Sequence, residues 1–230
     1  MYSTQPLPTQ RPLIISYLTL RKWVGLLGIS LTPVLVLGSL LQDLIQKPPV
    51  PLVILPSVSA YYYSGMRNEM EGILCGIAMF LLAYRGYSKQ DSIVSKLAGF
   101  FAVCIAFFPT SATDDKNDPI SIVHYVTAGI FFALLAYMSI FLFTKSTGQM
   151  TKQKIQRNRV YRVCGIVMAV SVIGIPIDGI KSVATAIGFL KPTLVFEVIA
   201  LTSFGISWLV KGGFILRDKA AGKISDLSKI

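Results

Sequence analysis

The run WVGLLGISLTPVLVLGSLLQDL fills residues 23–44 and carries a single charged residue, Asp43. About 20 mostly apolar residues, each rising ~1.5 Å, cross the ~30 Å hydrocarbon core of a bilayer as a helix. Five further apolar runs follow, at about 66–84, 93–108, 120–143, 160–180 and 193–210. The bulk composition agrees. Of 230 residues, 53% are hydrophobic and 14% charged, against roughly 25% charged in an average soluble domain, and the mean hydropathy is +0.63. A chain of this length and composition would leave greasy surface in water, which excludes an ordinary soluble domain. The expected fold class is all-α: a polytopic membrane bundle of six transmembrane helices, forming a single integral membrane domain over residues 1–230. The runs use just over half of the chain, so no separate soluble domain fits.

Prolines set the borders. Pro48, Pro49, Pro51 and Pro56 forbid a regular helix after the first span. Residues 52–55 are too few to cross, so this stretch is read as an ordered loop or a shallow re-entrant piece. The second span has only the uncharged stretch Gly72–Tyr84 before Arg85. That covers about 20 Å, so the helix must begin near Gly65 or Met66 and take in Arg67, Asn68, Glu69 and Glu71. Gly72 and Gly76 lie four apart and permit close helix approach. Pro109 ends the third span, Pro176 lies near the end of the fifth, and Pro192 starts the sixth. The polar, proline-rich stretch Met1–Pro12 lacks the basic start and small-residue exit of a signal peptide, so the first apolar run is expected to stay as a span.

The net charge of +11 is not spread evenly. Arg11, Arg21 and Lys22 precede the first span. Arg85, Lys89 and Lys96 follow the second, and six basic residues between Lys145 and Arg162 follow the fourth. Lys211, Arg217, Lys219, Lys223 and Lys229 follow the sixth. Only five of the 22 basic residues, Lys47, Arg67, Lys116, Lys181 and Lys191, fall in the alternate loops. Both termini are therefore expected to be cytoplasmic by the positive-inside rule. The basic loops read as topology signals and anionic-lipid contacts rather than a nucleic-acid footprint. The expected partners are membrane lipids, with no nucleic acid, and the oligomeric state stays open. The expected location is an integral membrane position, the cell (inner) membrane if the source is bacterial. The absence of an Asn-x-Ser/Thr sequon fits such a source. The only tryptophans, Trp23 and Trp208, fall at cytoplasmic ends, as in an interfacial aromatic belt. Cys75, Cys104 and Cys164 lie inside apolar runs and read as small hydrophobes.

Ionisable groups collect at the other, outer end. Arg67, Glu69 and Glu71 open the second span and His124, the only histidine, opens the fourth. Asp178 follows Pro176 at the end of the fifth, and Glu197 lies about 6 Å into the sixth. Such groups are costly at membrane depth and face a bundle interior or cavity. One reading is an outer-leaflet polar pocket that binds ligand through Ser57, Ser59, Tyr62, Arg67, Glu71, His124, Asp178 and Glu197. The plainer reading makes Arg67 and Glu71 an i,i+4 structural pair, His124 an interfacial or capping residue, and the 55–67 loop a rigid plug. Tyr61, Tyr62 and Tyr63 are consecutive and cannot all face one way. With a single histidine, a three-histidine zinc site cannot be built in one chain, and no metal or cofactor is expected. A Ser-His-acid hydrolase would draw on Ser57 or Ser59, His124 and one of Glu71, Asp178 or Glu197, but no nucleophile-elbow motif accompanies them.

Leu55-Pro56-Ser57-Val58-Ser59-Ala60, followed after a short gap by Met66-Arg67 and a helix start, resembles the first outer loop of the DRAM and FGF-receptor-activating-protein superfamily. The stretch His124-Tyr125-Val126-Thr127-Ala128-Gly129-Ile130-Phe131-Phe132 resembles that superfamily's fourth span. The layout is also similar to that of uncharacterised bacterial six-span membrane proteins. The resemblance implies six spans, cytoplasmic ends and a link to membrane lipid organisation or remodelling, but little mechanism. The leading expectation is a non-enzymatic lipid-interacting or lipid-organising protein. The alternatives are a lipid headgroup hydrolase and a small solute or ion transporter. A continuous polar path through the bundle would favour transport. A blind outer pocket would favour lipid binding or hydrolysis.

Overall fold

In the computed structural model, which describes residues 17–46, 51–112, 118–146, 149–176 and 185–216, each predicted span forms one helix. These are α1 (Tyr17–Ile45), α2 (Arg67–Ala83), α3 (Lys89–Phe107), α4 (Pro119–Tyr137), α5 (Lys152–Gly174) and α6 (Pro192–Lys211). One π turn, Met138–Leu142, extends α4, and a 3-10 turn, Ser59–Tyr63, lies before α2. No strand is present among the described residues. α1, α3, α4 with its π extension, and α6 are long and apolar enough to cross a membrane.

Helix ends differ from the predicted borders where local chemistry outweighs hydropathy. α1 begins six residues before Trp23, because nothing between Tyr17 and Trp23 breaks a helix and Arg21 and Lys22 are good helix formers. α3 begins at Lys89 because Ser88 and Asp91 form a capping box. α5 begins at Lys152 under a Thr151 cap and stops at Gly174 rather than at residue 180, two residues ahead of Pro176, which lacks the N–H a further helical turn needs.

Sequential helices are neighbours throughout, and α6 returns to pack against α1, so the six form a closed antiparallel ring. The core is filled by Leu31, Leu35, Leu74, Ile77, Phe131, Met138, Phe204 and Trp208. Trp208 is only 1% exposed and meets the rings of Tyr84 and Phe143 edge-on. It is therefore a core residue and not part of an interfacial belt, whereas Trp23 is half exposed. In the middle of the bundle the Ser139 hydroxyl lies 2.8 Å from the Tyr161 carbonyl oxygen and 2.7 Å from the Ser207 hydroxyl, tying the π turn to α5 and α6.

α1 and α6 meet backbone to backbone. A Cβ added to Gly205 would lie 2.6 Å from the Gly25 carbonyl oxygen, and one added to Gly25 would lie 2.7 Å from the Gly205 oxygen. Only glycine lets the two backbones approach this closely. The Gly72/Gly76 pair does not play this part. Nothing lies within 4 Å of a Cβ on Gly72, and one on Gly76 meets only the tip of Leu27. Gly205→Ala is therefore expected to lower the melting temperature in detergent by several degrees, since overpacking against rigid backbone costs about 1–3 kcal/mol. Gly72→Ala is expected to leave it unchanged or raise it slightly. Equal losses in the two variants would contradict this account of ring closure.

Candidate functional site

Three sequence signals bring the outer polar groups together. Pro109 cannot continue α3, which ends at Phe107, so the carbonyl of the capping residue Phe108 has no helical N–H to accept from. Asp118 caps α4 by accepting from the Ser121 N–H at 2.9 Å, with Pro119 at the first helical position, which places His124 on the second turn. Pro192 also takes the first helical position of α6, without a side-chain cap, and places Glu197 on its second turn.

His124 is 3% exposed. Its Nδ1 lies 2.7 Å from the Phe108 carbonyl oxygen and its Nε2 lies 3.0 Å from Ser59 Oγ. The same hydroxyl is 3.3 Å from Glu197 Oε1, and Glu197 Oε2 accepts from the Val58 N–H at 2.5 Å. A carbonyl only accepts, so Nδ1 carries a proton. Ser59 has one proton and two neighbours. If it donates to His124 Nε2, Glu197 must be protonated and donate to Ser59. If it donates to Glu197, His124 must carry its second proton. The two patterns hold the same number of protons and differ by one concerted shift along Oε1, Oγ and Nε2.

The loop before α2 is strapped onto this site. The Leu194 N–H donates to the Pro56 carbonyl at 3.0 Å, and Lys191 Nζ donates to the Ile54 carbonyl. The three tyrosines diverge, as their adjacency requires. Tyr61 is fully buried, and its hydroxyl accepts from the Leu55 N–H at 3.2 Å. Burial raises the pKa of this phenol above its ordinary value. Tyr62 lies beneath the Arg67 guanidinium at 4.2 Å, and the half-exposed Tyr63 donates to the Thr110 carbonyl.

Of the residues predicted for one pocket, the structure joins Ser59, His124 and Glu197. They line a cavity of about 60 Å³ with Met70, Leu74, Phe131, Phe132 and Leu201 among others. That is room for a few waters. Arg67, Glu71 and Tyr62 form a separate surface group in which Arg67 Nε lies 2.8 Å from Glu71 Oε1, the structural pair of the plainer reading. Ser57 accepts from the Ala60 N–H at 3.0 Å and so closes its own turn. Asp178 lies outside the described residues. Among the described residues, no group of three or more histidines, cysteines or acids could hold a metal.

The opposite end holds a larger space that sequence reasoning did not single out. Arg21, Tyr87, Lys145, Lys154, Arg157, Tyr161 and Lys211 help line a cavity of about 620 Å³. The signal was present as basic residues flanking alternate spans, but as a linear pattern it speaks only of topology.

The chain matches no protein-family model, no curated protein and no solved structure. Its function must therefore be read from its own residues. Glu197→Gln is expected to hold the outer junction, because the amide oxygen accepts from Val58 and the amide nitrogen donates to Ser59. Glu197→Ala leaves the buried Val58 N–H without an acceptor, which costs about 1–3 kcal/mol. Melting curves of both variants in detergent check this. A Gln variant as unstable as the Ala variant would show that the junction needs an ionised carboxylate.

Proposed function

We propose that this chain is a six-span integral membrane protein with both termini cytoplasmic, and that it interacts with lipids without performing chemistry on them. One observation carries the membrane reading. Every helix, α2 and α5 included, leaves apolar side chains exposed, among them Leu37, Met79, Phe100, Val126, Ile173 and Val195. In water such a surface would drive aggregation. In a bilayer it is the face that acyl chains cover. The segregation of basic residues to one end of the ring and of His124 and Glu197 to the other supports the orientation. The resemblance to the DRAM and FGF-receptor-activating-protein superfamily points the same way.

The geometry speaks against the hydrolase alternative. In a Ser-His-acid triad the histidine sits between serine and acid, whose carboxylate orients the ring. Here the serine sits between the other two, and a backbone carbonyl orients His124. Glu197 also occupies the Val58 N–H, a donor that an oxyanion would need. A junction of this kind fastens the 51–66 loop over the ring, as a plug does. The transport alternative needs a polar path, and between the two cavities the interior is filled by Phe131, Met138, Phe204 and Trp208, all 2% exposed or less.

Cysteine labelling tests the reading. With Cys75, Cys104 and Cys164 replaced, Asn68→Cys is expected to react with a membrane-impermeant maleimide on intact cells. Gln149→Cys is expected to react only after permeabilisation. The reverse pattern, or labelling of both from one side, would overturn the topology. Turnover of lipid headgroups that is lost in Ser59→Ala, with the protein still inserted, would restore the enzyme alternative.

A further inference from the structure

We propose that the basic end of the bundle binds a phosphate group in the cavity lined by α1, the α2–α3 and α4–α5 loops, α5 and α6. The proposal builds on the membrane reading above only in naming a lipid headgroup as one source of that phosphate. The cavity measures about 620 Å³, within the range of small-molecule sites. Five cations, Arg21, Lys145, Lys154, Arg157 and Lys211, line it. Asp91 neutralises one of them, with Oδ1 3.1 Å from Lys145 Nζ, and its Oδ2 is taken by the Tyr87 and Ser88 N–H groups.

Arg21 carries the argument. It is 8% exposed, yet its Nε has no hydrogen-bond partner and no carboxylate pairs with it among the described residues. A terminal nitrogen reaches the Lys211 carbonyl at a long 3.5 Å, and the Tyr84 hydroxyl also lies within its reach. The guanidinium otherwise lies 5.4 Å from the Tyr84 ring centre and 5.9 Å from that of Tyr87. The Lys211 ammonium is also half-buried and rests 4.9 Å from the ring centres of Tyr87 and Phe143, with no carboxylate paired to it among the described residues. Aromatic faces attract a cation but do not replace a counter-ion. Two converging cations at this depth are costly unless an anion joins them. Lys154 and Arg157 reach the Phe143 and Leu216 carbonyls at 3.0 and 3.2 Å, which holds their charge at the rim. A phosphate suits this arrangement because guanidinium matches its oxygens in pairs while ammonium supplies a point charge. The tyrosine walls suit the less polar remainder of its carrier. A basic pocket between helices at the cytoplasmic surface is where an anionic lipid headgroup would sit.

The test follows the melting temperature of the purified full-length protein in nonionic detergent. Its probes are dioctanoyl phosphatidylglycerol, inorganic phosphate, and dioctanoylglycerol, which has the same acyl chains without phosphate. A rise of about 5 °C or more is expected at roughly a hundred times the Kd. Arg21→Gln is expected to weaken binding about tenfold or more and to leave the unliganded protein no less stable, because it removes a buried charge lacking a partner. Lys211→Gln gives a second, independent reading of the same loss. A rise with the phospholipid alone assigns the site to a headgroup, and an equal rise with inorganic phosphate assigns it to a soluble phosphate. An equal rise with dioctanoylglycerol, a rise that survives Arg21→Gln, or no rise with any probe would overturn the proposal. Inverted labelling at Asn68 and Gln149 would remove the cytoplasmic assignment and leave the phosphate site standing.

Discussion

The backbone contact between Gly25 and Gly205 closes the ring, and both ends of the molecule depend on it. Arg21 lies one turn before Gly25, and Lys211 lies less than two turns beyond Gly205. The antiparallel crossing therefore places two cations side by side. Glu197 lies two turns before Gly205, about 12 Å away along the axis. The same crossing sets it beneath the loop that leaves α1. One missing Cβ on each helix thus brings the two groups of ionisable residues into register.

The two ends treat buried polarity in opposite ways. At the outer end each donor meets an acceptor: the Val58 N–H meets Glu197, Ser59 bridges Glu197 and His124, and His124 takes the Phe108 carbonyl left free at the end of α3. The group can hold itself neutral, the cheapest state for ionisable residues near hydrocarbon. At the basic end, Asp91 is drawn into a capping box and a single ion pair, and the remaining cations share aromatic faces and carbonyls. A closed network describes a fastening. An excess of like charge around a 620 Å³ space leaves room for a counter-ion.

Much of this was legible in the sequence where the governing interaction is local. The positions of all six helices followed from hydropathy and proline, and the Arg67–Glu71 pair from i,i+4 spacing. That His124 and Glu197 lie near one level followed from counting residues from the starts of their spans. What stayed hidden depends on rotation about each helix axis and on order around the ring. Ser57 and Ser59 are two residues apart in one motif, but the turn directs Ser57 to its own backbone and Ser59 to His124. Trp208 read as interfacial because its level was known and its face was not. The basic cavity was invisible for the same reason, since its residues come from three helices and the loops between others, far apart in the chain.

The material between the ends decides whether they can act on one another. Phe131 meets Phe204 edge-on, Phe204 meets Trp208, and Trp208 meets Phe143 and Tyr84. Such contacts add about 0.5–1.5 kcal/mol each beyond burial, and close-packed rings transmit strain rather than absorb it. The Ser139 and Ser207 hydroxyls beside this stack are engaged with each other and with the Tyr161 carbonyl, and so tie helices together rather than extend the Glu197, Ser59 and His124 group. An anion seated on Arg21, by contrast, bears directly on Tyr84, the outermost ring of the stack. The ring stack thus gives an anion seated at the basic end a mechanical route toward the loop fastened at the other.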